Sequence, residues 1–197
     1  MANYDGSVWN LHGLWPDKIT ATACVNQDTC TSEQYSPSSF SSNTRALLDS
    51  GWVGLYNSID TFRSHEWTKH GTCWNGSPLA RGNGNQENFF LTTLTLHQKY
   101  NIYKGLAQAG IKPSDSTTYS LSSVVNALKS VLSSGSGGSY VTEDMIQVQC
   151  QSSGGKSLLT QVYLCLDQSY RPMNCNCGQG YKGVSNGCSS SIYYPTF

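Results

Sequence analysis

The sequence predicts an α+β domain, and three observations carry that expectation. Two stretches in the middle of the chain repeat apolar residues at helical spacing. Two stretches near the end are β-prone and flank a Gly-Gly pair. Eight cysteines are spread from position 24 to position 188. Helices in the middle followed by strands towards the end is the order of an α+β fold. At 197 residues the chain suits one domain, 1–197, which can bury a large core without a metal staple.

The elements follow in order. Residues 31 to 43 are rich in Ser around Pro37 and read as irregular, while Arg45 to Ser58 reads as a helix interrupted by Gly51 and Gly54. Gln86 to Ala109 is the clearest helix. Phe89, Phe90, Leu94, Leu96, Tyr100, Ile102, Tyr103 and Leu106 recur near the 3.6 period, and Gly110 stops it. Leu121 to Leu132 is a further helix with Ser120 as N-cap, and Ser133 to Ser139 is a flexible loop. Ile146 to Cys150 and Leu158 to Leu166 are strands, with Gly154-Gly155 in the turn between them.

Composition excludes several functions. Lys+Arg and Asp+Glu number 12 each, so the chain is no polycation that holds nucleic acid by whole-surface attraction. Any polyanion must meet a small local site. Charged residues make up 12% against roughly 25% in typical domains, yet 5 Trp, 12 Tyr and 5 Phe supply ample surface to bury. No apolar run approaches the roughly 18 residues of a membrane helix, so no membrane partner is expected. No charged-then-apolar leader opens the chain, and the expectation is that any signal peptide has been removed or left out. The cysteines stand at 24, 30, 73, 150, 165, 175, 177 and 188 with no Cys-x-x-Cys. Zinc sites show paired short spacings, so the better reading is disulfides in an oxidising, secreted or vacuolar compartment. Asn75-Gly76-Ser77 is the one glycosylation sequon, and Pro78 behind it argues against its use.

Chemistry concentrates around histidine. Of four histidines, three fall in two Trp- and Gly-flanked segments, Trp9 to Asp17 and Ser64 to Trp74; the fourth, His97, reads as a surface or packing residue. With the second segment as a helix, Glu66, Lys69 and His70 lie about 100°, 40° and 140° from His65. One polar face therefore carries all four. A zinc protease would need two histidines four apart with Glu after the first. Here the second histidine is five residues on and Lys69 occupies the ligand position, where a cation repels a metal. No cofactor or metal is expected. Phosphoryl transfer within RNA does suit two imidazoles, a third histidine, a carboxylate and a cation. One neutral histidine takes the 2′-OH proton and one protonated histidine gives a proton to the leaving 5′-oxygen. A cation stabilises the phosphorane between them, and flanking aromatics offer stacking surfaces for unpaired bases.

His12-Gly13-Leu14-Trp15-Pro16 and His65-Glu66-Trp67-x-Lys69-His70-Gly71-Thr72-Cys73 resemble the two active-site signatures of the ribonuclease T2 family. Leu106 to Pro113, Gln161-Val162-Tyr163-Leu164-Cys165 and the Cys188…Tyr194-Pro195 ending are similar to plant members. The resemblance implies a central antiparallel sheet with helices packed on one side, stapled by disulfides. It implies an endoribonuclease that cuts single-stranded RNA, but not DNA, with low base specificity, leaves 2′,3′-cyclic phosphate ends and acts as a monomer. By the same resemblance His70 is the general base, His12 the general acid and His65 the phosphate binder, while Glu66 and Lys69 polarise the phosphate and stabilise the phosphorane. Trp15 and Asp17 fall where the family holds the 5′-side base, and Phe62 where it stacks the 3′-side base. Trp67 and Trp74 read as core. The family pattern further suggests Cys150–Cys188, Cys165 with Cys175 or Cys177, and Cys73 with Cys30 or Cys24.

The chain departs from the family at its start. Only eleven residues precede His12, and none matches the leading Leu-Gln-Trp-Pro-like strand, so that strand is expected to be missing. Two competing readings follow from the family itself. A catalytically dead storage or recognition relative would be expected to lack one of the two catalytic histidines, and both are present. A self-incompatibility type is associated with a basic surface, and this chain is neutral. Defence or phosphate salvage in a vacuole or outside the cell is the remaining expectation.

Overall fold

Serine caps begin most of the helices. Ser41 Oγ accepts from Thr44 N–H at 3.2 Å, Ser58 Oγ from Thr61 N–H at 3.2 Å, and Ser120 Oγ from Ser123 N–H at 3.1 Å. Each hydroxyl satisfies an amide that the first helical turn leaves open. The computed structural model describes residues 9–19, 24–54, 58–74, 86–175 and 183–196. These divide into two compact units, 9–99 and 100–196.

In the first unit a short hairpin pairs β1 (Asp17–Ile19) with β2 (Cys24–Asn26) antiparallel. Three helices follow: α1 (Ser42–Gly51), α2 (Ile59–Lys69) and α3 (Gln86–Lys99). Phe40, Leu48, Trp52, Trp67, Trp74, Phe89, Phe90 and Leu94 form its core, with Leu11, Leu14, Tyr35 and Phe62 packed against it. Trp52, Phe89 and Phe90 are 0% exposed, and burying such side chains stabilises by about 1.5–3 kcal/mol each. Trp67 and Trp74 are buried among them, as the sequence led one to expect. Arg63 is buried with them and is fully engaged. It donates to the carbonyls of Leu48 (2.5 Å) and Trp52 (2.9 and 3.1 Å) and to Asp49 (2.9 Å). Those bonds close the C-terminal end of α1 onto α2, and they satisfy the C-cap carbonyl of Trp52, which the helix itself cannot.

In the second unit α4 (Ile102–Gln108), β3 (Thr118–Ser120) and α5 (Leu121–Gly135) precede β4 (Ile146–Ser153), β5 (Lys156–Leu164), β6 (Ser185–Asn186) and β7 (Ser191–Tyr193). The sheet order is β3-β7-β5-β4-β6. The pairs β4–β5 and β3–β7 are antiparallel, and β6 and β7 add parallel contacts to β4 and β5. Val124, Val125, Leu128, Val131 and Leu132 are buried on α5, which packs on the sheet. The β4–β5 turn is Gly154-Gly155 with φ of 56° and 75°, the paired left-handed geometry of a tight hairpin. The fold is α+β, as expected.

Several boundaries differ from the sequence expectation. The helix expected over Gln86 to Ala109 is two helices, because Asn101 leaves the helical backbone (ψ 93°) and its side chain accepts from Lys104 N–H at 2.8 Å. The helix expected over Arg45 to Ser58 starts three residues earlier, behind the Ser41 cap, and ends at Gly51, with Trp52 leaving the helical backbone (φ -137°, ψ 80°) as its C-cap. A 3₁₀ turn, Pro37–Ser39, lies in the stretch read as irregular. α5 runs on into the expected Ser133–Ser139 loop as far as Gly135. Disulfides join Cys30–Cys73, Cys150–Cys188 and Cys165–Cys175, which resolves both open alternatives. Cys177, the Cys24 side chain and the Asn75 sequon lie outside the described residues.

Candidate active site

Two segments of the first unit meet to form the site. The His12 strip has no regular secondary structure and is held by the helical layer at three points. Asn10 Nδ2 donates to Val53 O at 2.7 Å, Trp52 Nε1 to His12 O at 3.1 Å, and Trp15 Nε1 donates to Glu66 Oε2 at 3.0 Å. Trp52 is itself fixed through its own carbonyl by Arg63, so α2 positions the His12 backbone through one intervening residue. The other segment is the last turn of α2, carrying His65, Glu66 and Lys69, with His70 as its C-cap.

The side chains converge on one indole. Trp15 lies edge-on to His12 with ring centroids 4.9 Å apart, and it stacks on His70 at 5.0 Å with planes 26° apart. Phe62 is 5.8 Å from His12 on centroids. Glu66 Oε1 faces His12 Nε2 at 3.5 Å and makes no hydrogen bond among the described residues. His70 Nδ1 is likewise buried and unbonded among them. Lys69 Nζ is 3.8 Å from Asp28 Oδ2. Gly13 makes the close fit of the two segments possible: a Cβ there would stand 2.0 Å from Glu66 Oε2 and 2.9 Å from Trp15 Nε1.

Burial sets the electrostatics. Glu66 is 0% and His70 3% exposed, while the His12 side chain is 49% exposed. Desolvation pushes the Glu66 carboxyl up from 4.5 to about 7, against the Trp15 hydrogen bond and the nearby Lys69 charge. Desolvation likewise pulls His70 down from 6.5 to about 4; Lys69, His65 and His12 add to that and Asp28 opposes it. At mildly acid pH the site therefore holds a neutral carboxylic acid beside a neutral imidazole. The first can donate a hydrogen bond to an anionic oxygen. The second can accept a proton.

The structure brings His12, Trp15, Phe62, Glu66 and His70 together, with Lys69 on the same helical turn. His65 is exposed on that turn. Asp17 opens β1, two residues past Trp15. Sequence reasoning missed Asp28, Trp52 and Arg63. Asp28 stands 41 positions before Lys69, so no short spacing could reveal it. Among the described residues no group of three or more His, Cys, Asp or Glu side chains is arranged to hold a metal. No helix in the described residues is long and apolar enough to cross a membrane.

A family model described as the ribonuclease T2 family matches residues 1–175. The chain is 33% identical over 193 residues to Ribonuclease 1 of Arabidopsis thaliana, covering 96% of this chain and 74% of that one. It is 33% identical over 194 residues to Extracellular ribonuclease LE of Solanum lycopersicum, again covering 96% and 74%. Among solved structures, RNase NT in complex with 5'-AMP superposes with a TM-score of 0.71 at 27% identity, covering 96% of this chain and 84% of that one.

Proposed function

This chain belongs to the ribonuclease T2 family and is an RNA-cleaving enzyme, and from that premise we propose a metal-independent transphosphorylation of single-stranded RNA between His70 and His12. His70 takes the ribose 2′-OH proton and the 2′-oxygen attacks phosphorus. The bond from phosphorus to O5′ then breaks as His12 gives that oxygen a proton, leaving a 2′,3′-cyclic phosphate end. Protonated Glu66 donates to a non-bridging oxygen, Lys69 neutralises the phosphorane and His65 binds the phosphate in the ground state. Charge that builds only in the transition state is what such donors stabilise selectively.

The observation that carries the reading is the packing of both His12 and His70 on the Trp15 indole, with Glu66 hydrogen-bonded to the same ring. A neutral His70 suits the base. Its low proton affinity in the free site rises as negative charge gathers on the phosphorane beside it. Trp15 and Phe62 hold bases by stacking, which tolerates any base and gives low specificity, and Asp17 adds a bias through hydrogen bonds. Deoxyribose lacks the nucleophile, so DNA is not cut. The monomer acts alone, and the disulfides suit a secreted or vacuolar compartment.

His12→Ala and His70→Ala are each expected to lower kcat/KM on a dinucleoside phosphate by at least about 100-fold while circular dichroism stays native. Residual activity within tenfold of wild type removes that histidine from its role. The pH–rate profile is a bell, with its acid limb near 4 from His70 and its alkaline limb near neutrality as Glu66 loses its proton. Excess EDTA leaves the rate unchanged, and a loss that zinc or magnesium restores would sink the metal-free mechanism.

A further inference from the structure

We propose that Asp28, which lies outside both histidine segments, is a positioning residue that holds the Lys69 ammonium where the phosphorane forms. The inference rests on the role given to Lys69 above. The ion pair alone would not carry it, because a half-exposed pair at 3.8 Å contributes little by itself. The backbone beneath it carries the argument. Thr29 has φ 53°, and a β-branched residue in the left-handed region is an outlier. Such a conformation persists only where the surroundings over-determine it, and strained positions cluster at functional sites.

The surroundings here all belong to the end of α2 and the residues just beyond it. Thr29 N–H donates to Lys69 O at 3.0 Å, Cys30 N–H to Thr72 Oγ1 at 3.1 Å, and Cys30 is bonded to Cys73. The Thr29 hydroxyl then donates to Asp28 Oδ1 at 2.7 Å. That bond fixes the carboxylate through one oxygen and leaves Oδ2 facing Lys69 Nζ. The segment is thus anchored to the turn it serves, and it presents one oxygen to one ammonium. A lysine stem is long and flexible, so orienting it before substrate arrives removes an ordering cost from the reaction. An ammonium has three donors, and one loose pairing leaves others for the phosphoryl oxygens.

Asp28 acts on the base as well. Lys69, His65 and His12 lower the proton affinity of His70, and Asp28 is the anion that opposes them. The test is Asp28→Asn, which keeps the shape and an acceptor for the Thr29 hydroxyl but removes the charge. On a dinucleoside phosphate kcat is expected to fall about three- to fivefold, KM not to rise, and the acid limb to move to lower pH. NMR titration of His70 should show the same displacement. In a Lys69→Ala background the kcat effect of Asp28→Asn disappears while the His70 displacement stays. Asp28→Glu restores most of kcat. Thr29→Val, which frees the carboxylate but keeps its charge, lowers kcat without moving the limb. An unchanged kcat in Asp28→Asn, or an equal loss in the Lys69→Ala background, overturns the proposal. Near-wild-type activity of Lys69→Ala overturns the role of Lys69 itself, and with it this one. A large loss in Lys69→Ala with no effect of Asp28→Asn overturns only the present inference.

Discussion

Gly13 measures how tightly the two segments fit. The Trp15–Glu66 bond spans 3.0 Å, and a methyl group at position 13 would lie 2.0 Å from the acceptor oxygen. Either the carboxyl or the His12 strip must then move. Gly13→Ala is expected to cost about 1–3 kcal/mol in urea unfolding, as overpacking does, and to lower kcat at least tenfold because Glu66 is displaced. Wild-type kcat would show that Glu66 can shift without consequence. The side chains that meet around Trp15 were legible in the sequence because two short segments hold nearly all of them. Their environment was not. Helical angles put Glu66 and His70 about 40° apart and His65 and Lys69 about 40° apart, and the structure buries the first pair while leaving the second more open. What buries Glu66 is Trp15 and Gly13, more than fifty positions away. Whether a carboxylate or a lysine governs the proton affinity of His70 was equally open in the sequence. Desolvation outweighs both at His70, and burial is a tertiary property.

Between elements, the second unit depends on close helix packing at Gly105. A Cβ there would stand 2.0 Å from Val131 Cγ2, so α4 approaches α5 with hydrogen where a methyl would be. Gly105→Ala is expected to destabilise by about 1–3 kcal/mol. The double variant with Val131→Ala should lose less than the sum of the two single losses, because one substitution makes room for the other. Strict additivity would place the strain elsewhere. Helix α5 and the β4–β5 hairpin were read from sequence nearly to their ends, since an N-cap serine and a Gly-Gly turn are local signals. The break between α3 and α4 was not read. Its apolar period runs through Tyr100 and Ile102, which are both buried, and only the Asn101 cap marks the stop. The parallel contacts of β6 and β7 were also out of reach. They are two and three residues long, and β6 is paired across more than thirty positions of chain.

For the molecule as a whole, the site places two opposed demands on stability. Glu66 has a folded value near 7 against an ordinary 4.5. Between those limits the folded state keeps a proton that the unfolded chain releases, so stability falls as pH rises. His70 has a folded value near 4 against an ordinary 6.5. There the unfolded chain holds the extra proton, so stability falls as pH drops. The two windows overlap from pH 4.5 to 6.5, and in that interval the two slopes cancel, each being about 1.4 kcal/mol per pH unit at full strength. Removing one partner uncovers the other. Relative to wild type, Glu66→Gln should gain roughly 2 kcal/mol of stability between pH 4.5 and 6.5, because only the His70 slope remains. His70→Phe, which keeps a ring on Trp15, should lose a similar amount over the same interval. Urea unfolding at pH 4.5, 5.5 and 6.5 measures both differences. Slopes of the same sign in the two variants, or none in either, would mean that burial does not hold Glu66 protonated and His70 neutral, and the donor and acceptor roles assigned to them would lose their physical basis.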